Sequence, residues 1–219
     1  MRRHDPLILR EGLPFIGIAG LILLVLIVFH LPLWITAPWF LLFAWVVAFF
    51  RNPRRTIPTV ADAIICPADG EVVSVMEVDD ERYGMGQCRR VCIFMSPFNV
   101  HSNRVPLSGT VIDKIYHKGK FLIASAEKAS LDNEQCALVI QTPGGRRVVV
   151  VQITGMLARR IVTYPQVGDE LERGERYGLI RFGSRVDLYL PLAAQIEVVK
   201  GDMVQGGTMV IGRLSDGEA

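Results

Sequence analysis

The chain has 219 residues, half of them hydrophobic and 21% charged, with a formal net charge of +2 and a mean hydropathy of +0.32. That length holds one domain, or one domain with an appendage, and the composition excludes collagenous and disordered classes; four cysteines are too few for a disulfide scaffold. The charges are unevenly placed: of 46, five lie in the first eleven positions and none between Gly12 and Phe50, a run of 39 residues. The remainder of the chain has an ordinary globular charge density.

The uncharged run divides the chain into residues 1–55, an N-terminal apolar α-helical membrane hairpin with arginine-rich flanks, and residues 56–219, a β-rich domain. Pro32 and Pro38 interrupt the run, which predicts helices over 14–29 and 33–50 joined by a tight turn. At 1.5 Å per residue each reaches only ~25 Å against a hydrocarbon core of ~30 Å, so the hairpin either crosses marginally or dips into one leaflet. Arg2, Arg3 and Arg10 precede it, and Arg51, Arg54 and Arg55 follow it. Arginines on both flanks keep both ends cytoplasmic and place the positive end beside anionic headgroups, on the cytoplasmic side of the cell (inner) membrane. The run is too long for the core of a cleaved signal peptide. Residues 1–55 carry a net charge of +4 and the remainder −2, which argues against nucleic acid as a partner.

Cys66, Cys88, Cys92 and Cys136 include no C-x-x-C pair and read as reduced core residues. With four histidines in the chain, no convincing metal site is formed. From Ala63 onward, short β-rich segments at 71–78, 90–95, 110–116, 137–141, 147–153, 176–181, 186–190 and 195–199 are broken by Gly, Pro and Asp. This pattern predicts a mainly β fold, a barrel or sandwich. Only 121–132 and a turn around 156–159 read as helical or irregular. Gly168-Asp169 and Gly201-Asp202, each followed by a short apolar strand, echo one another, and Pro67-Ala68-Asp69-Gly70 is similar. Such turns select Gly and Asp for positive φ and recur in lipoyl-like β folds.

Three segments hold polar residues that a plain β scaffold does not require. They are Cys66-Pro67-Ala68-Asp69-Gly70-Glu71, the stretch from Met95 to Pro106 around His101, and the stretch from Leu179 to Pro191 around Gly183-Ser184. Each alone reads as a turn or a strand end. Together they supply an Asp, a His and a Ser, the minimum set that activates a hydroxyl. G-x-S-x-G is absent. Gly183, lacking a Cβ, permits close approach of the Ser184 hydroxyl to the carbonyl that precedes it, and hence attack on the chain itself.

The run Arg181-Phe182-Gly183-Ser184-Arg185-Val186-Asp187-Leu188-Tyr189-Leu190-Pro191 resembles the self-cleavage site of short-type phosphatidylserine decarboxylases, proenzymes of the pyruvoyl-dependent family. So do Met95-Ser96-Pro97-Phe98-Asn99-Val100-His101-Ser102-Asn103-Arg104, Tyr116-His117-Lys118-Gly119-Lys120-Phe121, Gly155-Met156-Leu157-Ala158-Arg159-Arg160-Ile161, Pro67-Ala68-Asp69-Gly70 and the apolar hairpin. The likeness covers nearly the whole chain. It implies that Ser184, helped by His101 and Asp69, attacks the Gly183 carbonyl, and that the ester breaks by β-elimination to leave a covalent pyruvoyl group on residue 184. Chains 1–183 and 184–219 then remain associated as a heterodimer, with further oligomerisation open. The pyruvoyl ketone forms a Schiff base with the headgroup amine of phosphatidylserine, carboxylate is lost as CO2, His101 protonates the carbanion, and phosphatidylethanolamine is released. Arg104, Lys118 and Lys120 are the candidate cations for the phosphodiester. The sequence departs from long-type members in having Phe182 and Arg185 around Gly-Ser and a single His101 in place of a histidine pair; Gln135 stands where an Arg is expected. Two other readings use the same residues: a membrane-anchored Ser/His/Asp hydrolase, and a non-enzymatic lipoyl-like membrane adaptor.

Overall fold

The computed structural model describes residues 6–119, 133–155, 160–181 and 184–215, and the chain divides into two compact units, Met1–Arg54 and Arg55–Ala219. In the first, a 3₁₀ turn at Arg10–Gly12 leads into α1 (Leu13–Val28), and α2 (Leu33–Phe49) follows. Pro14 sits in the first turn of α1, where a missing N–H is harmless. His30 takes a left-handed φ of 51°, and Pro32 precedes α2; together they end one helix and start the next within four residues. Both helices are apolar on every face, with Leu21, Leu33 and Trp34 exposed, the pattern of a helix whose surroundings are themselves apolar. The helical run Arg10–Val28, 19 residues, is long and apolar enough to cross a membrane, while Leu33–Phe49 is shorter. Ile8 and Arg51 form an antiparallel bridge, flanked by Leu9 N to Phe50 O at 2.9 Å and Asn52 N to Leu7 O at 2.7 Å. The hairpin therefore begins and ends at the same place.

The second unit is built of strands: β1 (Ala63–Ile65), β2 (Gly70–Asp80), β3 (Gly86–Met95), β4 (Ser102–Arg104), β5 (Gly109–His117), β6 (Gln135–Gln141), β7 (Arg147–Thr154), β8 (Ile161–Thr163), β9 (Glu170–Leu171), β10 (Arg176–Ile180), β11 (Ser184–Pro191), β12 (Gln195–Ile196), β13 (Met203–Val204) and β14 (Val210–Arg213). They form an eight-stranded sheet in the order β13-β2-β3-β11-β7-β6-β5-β9 and two three-stranded sheets, β4-β10-β8 and β1-β14-β12. The mainly β expectation holds, and all eight expected strands are present. The last is cut short at Ile196, because the Val199 N–H goes to the Asp202 carboxylate at 2.8 Å and opens a turn. The one expected to reach Arg181 stops at Ile180, since the Arg181 N–H turns to Arg160 O at 3.2 Å. β1, β4, β8, β9, β13 and β14 are two to four residues long, too short for a two-residue alternation to register. The helical expectation at 121–132 and the turn at 156–159 lie outside the described residues.

Alternation along the central strands loads both faces of the large sheet. Val186, Leu188 and Leu190 of β11 join Val91, Ile93 and Met95 of β3 in the main core, which also contains residues of both small sheets. Tyr189 lies on the opposite face with Val149, Val151, Ile153, Cys88 and Tyr83. Burial on both faces explains the near-continuous apolar reading of these strands.

The Gly-Asp echo is a structural repeat. Gly201 N donates to Val72 O and Val72 N to Asp202 O; in parallel, Gly168 N donates to Val111 O and Val111 N to Asp169 O. The Asp202 carboxylate caps Val199 N at 2.8 Å and that of Asp169 caps Gln166 N at 2.9 Å, with φ of 98° at Gly201 and 93° at Gly168. β13 and β9 thereby occupy the two edges of the large sheet. β2 is bulged between Val72 and Ser74, β5 between Val111 and Asp113. The entrance to β2, from Cys66 to Gly70, thus corresponds to the entrance to β5, from Val105 to Gly109: Gly207 N bonds Cys66 O, and Gly174 N bonds Val105 O.

Candidate functional site

The chain leaves β10 of a small sheet at Ile180 and enters β11 of the large sheet at Ser184. Phe182 and Gly183, in the crossing between them, lie outside the described residues, as does Lys120. Ser184 is the first residue of β11 and is already in the ladder, opposite Met95 of β3 on one side and Thr154 of β7 on the other. The expected Gly-Ser turn is therefore a strand start at its serine. Ser184 shares a sheet face with Val186, so its side chain lies on the main-core side. The residue is 0% exposed, and among the described residues its Oγ has no hydrogen-bond partner. A buried hydroxyl without a partner is costly to fold.

His101 is brought to the same crossing. Its carbonyl accepts from Ile180 N at 3.4 Å, so it flanks the point where the chain leaves the small sheet. Met95 flanks the point of arrival, and residues 96–100 join the two. That connection is folded on Asn99, whose Oδ1 accepts from both Ser96 N and Ser96 Oγ at 2.8 Å. The buried His101 ring places Nδ1 3.0 Å from Asn99 O. A carbonyl only accepts, so Nδ1 carries the proton and, in the neutral ring, Nε2 carries the lone pair of a base.

Asp69 stands apart from that pair. Its Oδ2 accepts from Arg55 Nη2 at 2.8 Å and its Oδ1 from Gly206 N at 2.8 Å. The carboxylate is therefore held by Arg55 and the Gly206 turn, and among the described residues it makes no hydrogen bond to His101. Glu71, two residues on, is opposite Phe94, the neighbour of Met95; two strand spacings put this turn about 10 Å from Ser184. The internal repeat adds meaning. At the corresponding position Ser108 Oγ accepts from Arg173 N at 3.0 Å, so a neutral hydroxyl satisfies the turn. A carboxylate is more than the fold requires.

The three expected cations differ in placement. Arg104 is 6% exposed and its Nη1 donates to Gly174 O at 3.0 Å, inside the fold. Lys118 is exposed just past β5. Gln135, at the position where an Arg was expected, is buried and accepts from Tyr83 Oη at 3.1 Å.

Several residues near Ser184 have partners that the sequence did not reveal. Arg185 and Asp187, on the face of β11 opposite Ser184, form a buried ion pair with Nε to Oδ1 at 2.7 Å and Nη2 to Oδ2 at 3.1 Å. On the Ser184 face, Gln152 of β7 donates to Asn103 Oδ1 at 2.7 Å and accepts from Thr163 Oγ1 at 2.5 Å. Asn133 Nδ2 holds Thr154 O at 2.7 Å. The signal for Gln152 was present: one polar residue at an inward position of the run from Val148 to Ile153. The four cysteines are buried thiols. Burial pushes Cys66 up to about 12 and Cys88 to about 11, the nearby Asp69 and Asp80 carboxylates adding to it, so none is poised as a nucleophile.

A family model described as phosphatidylserine decarboxylase matches residues 42–212. Curated relatives named phosphatidylserine decarboxylase proenzyme are similar over 98% of this chain. One from Geobacter sp. (strain M21) is 48% identical and one from Syntrophotalea carbinolica 49% identical, each covered over 100% of its own length. One from Burkholderia ambifaria is 45% identical and covered over 99%. With a family model matched over residues 42–212 and relatives similar over 98% of its length, this chain belongs to the phosphatidylserine decarboxylase family.

Proposed function

We propose that this chain is a proenzyme that cuts itself between Gly183 and Ser184 and then decarboxylates phosphatidylserine to phosphatidylethanolamine and CO2 through a pyruvoyl group made from Ser184. The observation that carries the reading is the Ser184 hydroxyl: buried and without a partner among the described residues, at the start of a central strand four residues beyond Ile180, whose N–H bonds the His101 carbonyl. An ordinary hydrolase is disfavoured by the same observation, because a serine at 0% exposure inside a two-sided ladder meets no external substrate before a cut opens the chain.

In the first stage His101 Nε2 takes the hydroxyl proton as Ser184 Oγ bonds to the preceding carbonyl carbon. The proton passes to the leaving amide nitrogen, giving an ester and a free amine. Elimination across Cα–Cβ of residue 184 releases the carboxylate of residue 183. Water then displaces ammonia, leaving the pyruvoyl group. Once formed, this group supplies a ketone that condenses with a primary amine and draws electrons from the carbon that loses carboxylate. His101 Nε2 is the atom assigned to return a proton to that carbon. Asp69, held by Arg55, sets a fixed negative charge beside the site, and Lys118 with Lys120 is assigned to the phosphodiester; Arg104 serves the Gly174 turn.

The fragment 184–219 would not drift away after the cut. It contributes β11 to the centre of the large sheet, β13 to its edge, and β12 and β14 to a small sheet. The apolar hairpin, with both ends at one place and arginines flanking it, supports anchoring in the cytoplasmic membrane with the β unit on the cytoplasmic side. This is where a substrate with two acyl chains resides.

Intact mass of the purified protein tests the reading. Two chains are expected, with the 184–219 fragment lacking a free amino terminus, and Ser184→Ala should leave one uncut, inactive chain. An active preparation consisting of a single full-length chain refutes it.

A further inference from the structure

The second unit buries apolar side chains on both faces of its large sheet, and Phe98 departs furthest from that rule. At 74% exposed it is the barest large apolar side chain described in the unit, level with Leu33 and Trp34 of the hairpin helices. The backbone that presents it is fixed. Asn99 N donates to Ser96 O at 3.0 Å, closing a β-turn with Pro97 in its second position and Phe98 in its third. Asn99 Oδ1 locks the same turn through Ser96 N and Ser96 Oγ, and the ring of Pro97 sets its own φ. Asn99 also gives its carbonyl to His101 Nδ1. One turn thus holds an apolar ring out to the surroundings and the imidazole of the proposed base within the fold.

Sheet register brings similar residues to this end of the unit. The ladder aligns Phe94 of β3 with Arg185 of β11 and, through Ile153 and Gln135, with His117 of β5. The Ser96–Asn99 turn, the start of β11 and the exit of β5 therefore share one rim, about 19 Å from β3 to β5 over four strand spacings. At the β5 exit are Lys118 and the exposed ring of Tyr116, whose Oη donates to Glu134 Oε1 at 2.8 Å. Arg160 and Arg181 meet at the crossing that precedes Ser184, with Arg181 N on Arg160 O. Three cations here face two carboxylates, Glu71 and Glu134, although residues 56–219 carry a net charge of −2. Exposed aromatic rings beside cations are what a membrane interface selects: ring bodies at the acyl boundary, polar tips and cations among anionic headgroups. Rings this far apart form no contiguous patch of the kind a protein partner buries.

We propose that this rim docks on the phospholipid surface, with Phe98 inserted at the boundary between headgroups and acyl chains and with Tyr116, Lys118, Arg160 and Arg181 among the headgroups. The proposal rests on the phosphatidylserine reading above and deepens it. A headgroup reaches the Ser184 end of the sheet while its two acyl chains stay in the bilayer.

The test uses the full-length chain in vesicles of phosphatidylcholine and phosphatidylglycerol. Phe98→Cys supplies one accessible thiol for a fluorophore, because the four native cysteines are buried. Val167→Cys is the reference: Val167 is also exposed, but Gly168 N ties its turn to Val111 O, about 20 Å back along β5 from His117. Lipids brominated high on their acyl chains should quench the label at 98 by at least half and the label at 167 by less than a tenth. Equal quenching at the two positions overturns the proposal. A label at 98 shielded from lipid and aqueous quenchers alike means that a second copy covers the rim, and also overturns it. Catalysis gives a second readout, the rate on long-chain phosphatidylserine in the vesicles divided by the rate on short-chain phosphatidylserine added from water. Phe98→Ser should lower this ratio about tenfold, within what burying one phenylalanine side chain is worth, and Phe98→Leu should keep it within threefold. A phenylalanine that only supports the turn would lower both rates alike, so an unchanged ratio for Phe98→Ser refutes the docking role. If Phe98→Ser is not cut, the quenching comparison decides. Failure of the unsubstituted chain to be cut or to decarboxylate phosphatidylserine instead overturns the functional reading, and quenching still tests the docking.

Discussion

Asp187 is three residues beyond the serine on which the proposed chemistry depends, and it neutralises more than one cation. It pairs with Arg185 through two contacts, at 2.7 and 3.1 Å, with both side chains nearly fully buried. It also acts through space on Arg90, whose guanidinium is held above the usual value, against its own burial, by Cys92 first, then by Asp187 and by Tyr189. Replacing Asp187 with Leu takes the paired carboxylate from a fully buried Arg185 and one source of negative charge from the half-buried Arg90. Replacing Arg185 with Met leaves Asp187 still facing Arg90. Breaking a buried pair from one side costs about 3–5 kcal/mol, so we expect about 5 kcal/mol for Asp187→Leu and about 3 for Arg185→Met. The double variant, apolar and similar in volume, should come within about 2 kcal/mol of the parent. At about 2–4 °C per kcal/mol for a domain of this size, Asp187→Leu should lower the midpoint of thermal unfolding by roughly 10–20 °C. The measurement belongs in a Ser184→Ala background, so that all variants are compared as the same uncut chain. It should be read by far-ultraviolet circular dichroism, because all three tryptophans, Trp34, Trp39 and Trp45, lie in α2 and not in the β unit. A loss under about 1 kcal/mol for Asp187→Leu, or a larger loss for Arg185→Met, refutes this account of the charge balance.

Two more expectations follow from the same geometry. Cys66 and Tyr83 are both pushed up to about 12, chiefly by burial, so the folded state holds their protons more tightly than the unfolded chain does. That stabilisation is fully present below pH 9 and is lost as pH rises toward 12; urea midpoints should be level from pH 7 to 8.5 and fall above about 9. Midpoints that rise across that window would contradict the burial of these groups. In the hairpin, Leu24 is an exposed apolar residue of α1. Leu24→Lys should weaken partition into phospholipid vesicles by about 10²-fold, at about 2.5–3.5 kcal/mol per charge in a membrane helix, with the thermal midpoint of the β unit unchanged. Unaltered flotation with vesicles would mean that α1 does not enter the bilayer.

Much of the architecture was legible because one-dimensional signals report it directly. An uncharged run of 39 residues interrupted by Pro32 and Pro38 has little choice but two apolar helices, and the structure places their ends within a residue of expectation, at Leu13–Val28 and Leu33–Phe49. The long strands alternate or run continuously apolar over five or more residues. Gly-Asp turns announce positive φ, and Gly168 and Gly201 take it. The strands that were missed are the two- to four-residue ones, which are strands only because a partner in another part of the chain pairs with them.

At the site, residue types could be read but pairings could not. Asp69, His101 and Ser184 stand out as polar residues in segments that need none. A sequence nevertheless carries no information on which side chain an Asp faces, and three chemically compatible groups invite one chain of hydrogen bonds. Tertiary structure instead gives Asp69 to Arg55 and Gly206, and gives His101 Nδ1 to the Asn99 carbonyl. Arg104, expected to be available to an anion, is folded inward onto Gly174 because the internal repeat brings that turn against it.

The sequence by itself determined the hairpin, the β class and the family, and singled out Ser184 as a candidate, because hydrophobic period, turn chemistry and motif are properties of neighbouring residues. Only the tertiary structure decided that Ser184 begins a central strand, that its hydroxyl is buried, and that Asn103, Gln152 and Thr163 meet over Gly178. Those contacts join strands separated by up to about ninety residues of chain, as Ser184 is from Met95. They follow from sheet register and the packing of one sheet on another, which local sequence does not encode.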